Sequence, residues 1–140
     1  MSKAQPGDLV LHHPAVGIAA RVLFTLIFFL SGITHFTDVA GYVSLIHASI
    51  PFRAFWVFVS GVVELTGATL VLLNFRPRLG AWLIVAFLVP VTFTVHGVGI
   101  FRAADEMMRG VQISMLLKGL AMTGCALFIT QLGVRRDPEA

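Results

Sequence analysis

Charge is what this sequence has least of. Only 12% of its 140 residues are Asp, Glu, Lys or Arg, against 57% that are hydrophobic. A water-soluble domain carries charge on about a quarter of its residues. So few charges cannot furnish a water-facing shell, which excludes an ordinary globular protein and leaves lipid as the natural solvent. Cysteine is almost absent as well. Cys125 stands alone, which excludes an internal disulfide and an internal dithiol mechanism and leaves the redox compartment unread. No P-loop, GxGxxG or GxSxG occurs, so phosphate, dinucleotide and nucleophile-elbow chemistry have no foothold. No two histidines stand at i, i+4 and no Cys–His cluster exists, so no metal site is read. The net charge of +3 does not signal nucleic acid, because the basic residues are scattered singly or in pairs between apolar runs.

What the chain does have is long apolar runs. A bilayer core about 30 Å thick needs about 20 apolar residues in a helix. Four segments meet this, at 17–36, 54–73, 79–101 and 111–132. They are expected as helices because every backbone group within lipid must be bonded inside its own segment. The expected fold is therefore all-α, an integral membrane four-helix bundle over residues 17–132. A polar lead, 1–16, and a polar tail, 133–140, flank it. The lead holds Pro6, Asp8, His12, His13 and Pro14 without a small-residue cleavage pattern. The first helix is thus expected to do the targeting.

The connections carry signals of their own. Pro14 and Pro51 precede the first two helices. Asn74 to Arg78 form a short turn that makes the second and third helices antiparallel neighbours. Trp56 and Trp82 lie near helix ends, as interfacial aromatics do. In the connection from Thr37 to Arg53, the residues Val39, Tyr42, Val43, Ile46 and Ile50 recur at helical spacing. With Asp38 as N-cap, they read as a short amphipathic helix on the membrane surface. Lys3, Arg21, Arg76, Arg78, Arg135 and Arg136 fall on one side, and Arg53, Arg102 and Arg109 on the other. That asymmetry predicts a plasma-membrane protein with both termini cytoplasmic.

Ionisable residues inside membrane helices are costly and usually face the bundle interior. Glu64 is near the middle of the second span and Lys118 is in the fourth. His96 is late in the third, His35 ends the first, and Arg21 is early in the first. By the helical rise, His96 and Lys118 lie roughly 7–10 Å below the outer surface and Glu64 roughly 15 Å. Each lies on a polar or small-residue face at spacings of three and four. These faces are Arg21, Thr25, Gly32 and His35; Ser60, Glu64, Gly67 and Val71; Thr92, His96 and Gly99; and Ser114, Lys118, Ala121 and Cys125. A bundle with a polar interior opening outward is expected. Glu64 is expected to pair with Lys118 or with Arg21. His35 and His96 are either interfacial histidines bonded to backbone or water, or a bis-histidine haem pair at matching depth. Asp105 and Glu106 read as plain loop charges.

The order of these elements resembles the DoxX family. An Arg early in the first helix is followed by Ser31–Gly32 ahead of His35. Pro51 opens the second helix, and Glu64 precedes Gly67 by three. A short turn with Arg76 and Arg78 leads to Gly80. His96 is late in the third helix, and Lys118 precedes Gly119 in the fourth. The likeness runs from Arg21 to Leu132, with the Glu64–Gly67 and Lys118 elements the more specific. Many DoxX-like proteins have Lys where this chain has His35. The resemblance implies an accessory subunit of a quinone- or thiol-linked membrane oxidoreductase, with quinone as the one cofactor in view. The alternatives it leaves are a non-catalytic adaptor or assembly factor, and a lipid or small-molecule binding protein. Expected partners are the bilayer and another membrane protein or a second copy.

Overall fold

The computed structural model describes residues 13–132. The expected tail, 133–140, and all of the expected lead except residues 13–16 lie outside them. The described chain is all helical, and four of its stretches are long and apolar enough to cross a membrane.

The first, α1 (Pro14–Thr37), begins three residues before the expected span, with Pro14 in the first turn. There a missing N–H loses no bond and the ring presets the helical φ. Next comes the short helix α2 (Val39–Leu45), capped by the Asp38 carboxylate, which accepts from the Gly41 N–H at 3.1 Å. It stops sooner than the apolar spacing suggested, so Ile46 and Ile50 lie beyond it. The reason is local: the His47 ring bonds the Ser49 hydroxyl and backbone N–H, which favours a turn over another helical one.

Helix α3 (Arg53–Leu72) ends in a Schellman motif. The Phe75 N–H donates to Leu70 O and the Asn74 N–H to Val71 O, each at 3.1 Å, with Asn74 left-handed at φ 54°. Arg76 is also left-handed, and Pro77 then starts α4 (Pro77–Val91). This four-residue reversal sets α3 and α4 side by side.

The third span is not uniform. Pro90 lies inside α4, and the helix widens into a π segment, Thr92–Gly97, before resuming as α5 (Val98–Arg102). A proline removes one ladder bond and crowds the carbonyl four residues back, and π turns are a common local response. Helix α6 (Glu106–Gln131) begins five residues earlier than the apolar run. Asp105 is its N-cap, accepting from the Met108 N–H at 2.7 Å, and Glu106 pairs with Arg109 at 3.2 Å. The two acids expected as loop charges thus start the helix, where negative charge is favoured.

The helices pack α1 on α3, α3 on α4, and α4 on α6, with α2 across the end of α1 and α3. The core is small: Phe28, Ala68, Val71, Ala81, Ile84, Leu88 and Ala126. Large apolar side chains instead cover the outside, Leu23 at 73% and Phe128 at 62% exposure among them. Such a surface has no stable place in water and a natural one in lipid. Between α3 and α4, Gly67 and Gly80 let the backbones meet, since a Cβ on either would come within 3.0 Å of the other's carbonyl oxygen.

Candidate functional site

His35 is the centre of the polar interior. It ends α1 as a buried side chain, and Gly61 on α3 makes room for it: a Cβ on Gly61 would lie 2.8 Å from His35 Cβ. One turn further along α3 is Glu64, 1% exposed. The His35 Nε2 and Glu64 Oε2 atoms are 3.6 Å apart. Ser31, one turn before His35, approaches the same carboxylate. The other imidazole nitrogen, Nδ1, lies 3.0 Å from Val57 O and 2.8 Å from Ser60 Oγ. A carbonyl only accepts, so Nδ1 carries a hydrogen and is bonded to α3. Nε2 faces the Glu64 carboxylate at ion-pair distance without a hydrogen bond, and Glu64 Oε2 has no hydrogen-bond partner among the described residues.

Helix α2 closes the site from above. The Tyr42 ring sits 3.9 Å from the His35 ring, centroid to centroid, and its hydroxyl meets Thr34 Oγ1 at 2.6 Å. Phe87 of α4 approaches the same imidazole edge-on at 5.9 Å. Between these elements is a cavity of about 320 Å³ whose lining includes Ser31, His35, Tyr42, Ser60, Phe87 and His96. His96 comes from the π segment, and its Nδ1 meets Gln112 Oε1 on α6 at 3.0 Å.

The structure therefore brings together three of the five ionisable candidates, His35, Glu64 and His96, and sets apart the other two. Lys118 is exposed on α6. Gly119 beside it is the residue that packs against the π segment, where a Cβ would collide with the Thr92 hydroxyl. Successive helical positions are about 100° apart, so Lys118 points out of the bundle. With it go Ser114, Ala121 and Cys125, all exposed. The expected polar face of the fourth helix is thus an outward face, and Lys118 is not the partner of Glu64. Arg21 is not either. It lies fourteen residues before His35, roughly 21 Å along the helix. Its buried Nε has no hydrogen-bond partner among the described residues. Haem ligation by His35 and His96 does not fit, because both His35 nitrogens already face α3 groups. No cluster of three or more His, Cys, Asp or Glu that would hold a metal occurs among the described residues.

Gln112 and Ser31 are uncharged, so the pattern of ionisable residues in the sequence does not point to them. In the sequence Tyr42 belongs to the apolar face of α2 and carries no sign of a polar role. The sequence does carry a signal for Gln112: with Gln131 near the other end, it is one of two amides within the expected fourth span.

The model of the DoxX family matches residues 17–97, which is α1 through the end of the π segment. The chain belongs to the DoxX family. The DoxX match takes in every cavity-lining residue, together with Glu64. It stops before α6, so Lys118, which carried part of the expected likeness, lies outside it. Membership and the four apolar helices make this chain a small multi-pass integral membrane protein. No curated protein and no solved structure matches the chain.

Proposed function

We propose that this DoxX protein is an accessory subunit of a quinone-linked membrane oxidoreductase, and that its cavity holds the ring of a quinone-type molecule. The cavity carries the reading. It has ring-scale volume, and its apolar walls, Leu45, Val57, Phe87 and Val91 among them, surround a few polar groups. Small-molecule sites have this composition, with few polar atoms fixing orientation. His96 and the His35–Glu64 pair supply proton-exchanging groups at and behind the wall. A bound quinone would supply two-electron chemistry. The protein's own residues would hold the ring, screen it from water with α2, and keep a titratable pair within one side chain of it. Solvent extraction of the protein purified in mild detergent, followed by mass spectrometry, tests the reading. A quinone is expected in the wild-type extract and depleted in a His96→Phe extract. An extract free of quinone from membranes that contain it would sink the proposal.

A second reading is an adaptor that binds partner helices. It is favoured by the outward face of α6, where Ser114, Lys118, Ala121 and Cys125 are exposed. Cross-linking through Cys125 in native membranes tests it: a discrete cross-linked species lost on Lys118→Leu supports it, and monomer alone opposes it.

A further inference from the structure

The hydroxyl and ring hydrogens lining the cavity are turned away from it, and that selects a ligand. Ser31 lines the cavity and its hydroxyl is set against the Glu64 carboxylate, which accepts its hydrogen. Thr34 Oγ1 donates to Ser31 O at 2.6 Å, so its only hydrogen is engaged. The Tyr42 hydroxyl, 2.6 Å from the same oxygen, must therefore be the donor of that contact. Ser60 Oγ donates to Val57 O at 2.8 Å. The His35 Nδ1 hydrogen is shared between Val57 O and Ser60 Oγ. The His96 Nδ1 faces Gln112 Oε1 at 3.0 Å, an oxygen that only accepts, so that nitrogen carries the hydrogen. In the neutral ring Nε2 then keeps its lone pair. It makes no hydrogen bond among the described residues, and His96 is part of the cavity lining. What remains for a ligand is a set of acceptors: His96 Nε2 and the lone pairs of Tyr42 and Ser60.

We propose that the cavity selects the reduced, dihydroxy form of a quinone-type ring over its oxidised form. This rests on the reading that the cavity holds such a ring. A hydroquinone offers two O–H donors, which meet the acceptors. A quinone offers two carbonyls, which only accept and would set lone pairs against lone pairs between apolar walls. A buried polar group without a partner is disfavoured more strongly than a matched one is favoured. Gln112 is the positioning residue, because it fixes which nitrogen of His96 holds the hydrogen.

The test is a thermal-shift titration of the purified protein in detergent under nitrogen, with decyl-benzoquinone and decyl-hydroquinone as paired probes. The two share a tail, so partition into the micelle is held nearly constant. The wild-type protein is expected to bind the hydroquinone tighter by about tenfold, the effect of one matched hydrogen bond. His96→Phe should bring the two affinities together. Gln112→Leu releases Nδ1, lets the other tautomer form, and should narrow or reverse the preference. Equal or tighter binding of the quinone by the wild-type protein overturns the selection while leaving the cavity reading in place. Binding of neither probe overturns both. The wild-type comparison decides the matter even where a variant does not fold.

Discussion

His35 and Glu64 face each other across the α1–α3 contact, Nε2 to Oε2 at 3.6 Å, with 5% and 1% of their side chains exposed. Neither residue has water to fall back on. Removing one member of a buried pair strands the other, at a cost of about 3–5 kcal/mol, whereas replacing both is often close to neutral.

That relationship makes a double-mutant cycle informative. Glu64→Gln and His35→Leu should each lower thermal stability in detergent, and together should fall short of the sum by about 0.5–3 kcal/mol. Glu64→Gln combined with Lys118→Met should be additive, since Lys118 faces outward. Coupling to Lys118 instead of His35 would show the pair to be misassigned.

The Gly67–Gly80 contact gives a second expectation. A methyl on Gly80 would lie 2.7 Å from Gly67 O, a backbone atom that cannot step aside. Gly80→Ala should therefore destabilise by about 1–3 kcal/mol. Gly110→Ala and Gly124→Ala, where nothing lies within 4 Å of the new Cβ, should be neutral or stabilise by about 0.5–1 kcal/mol. Melting curves of the three variants provide the check; equal losses would remove the case for a close α3–α4 crossing.

At the start of α6, Asp105→Ala should lower stability by about 0.5–2 kcal/mol through loss of the cap on the Met108 N–H. Asp105→Asn, which keeps the acceptor, should retain most of it. If the alanine variant melts with the wild type, the cap contributes nothing.

The asymmetry of the basic residues predicts that both termini are cytoplasmic, and this is checked from outside the cell. In a Cys125→Ala background, cysteines placed beside Lys3 and Glu139 should resist an impermeant maleimide in intact cells. One beside Asp105 should react. The reverse pattern would place the termini, and the basic turn at Arg76 and Arg78, on the outer face.

Much of this protein is written in its one-dimensional pattern. Runs of about 20 apolar residues have one stable form in lipid, because only a helix bonds all its own backbone groups. Four runs therefore fixed four spans, and Asp38 with the apolar spacing after it marked α2. The partners of the buried groups were not legible in the same way. Depth along a helix can be counted from residue numbers, but which way a side chain faces depends on which neighbour its helix packs against. Lys118 and Gly119 are adjacent in sequence, and only the packing of Gly119 on Thr92 turned the lysine outward. Glu64 had two cationic candidates by charge. The approach of α1 allowed by Gly61 gave it a histidine instead. The cavity, too, needed tertiary structure, because its walls come from α1, α2, α3, α4 and the π segment, and the hydrogen-bond acceptors it presents are set by bonds between helices. The sequence alone determined that the chain lives in a membrane as four helices. The packing of those helices decided which of its few polar groups meet.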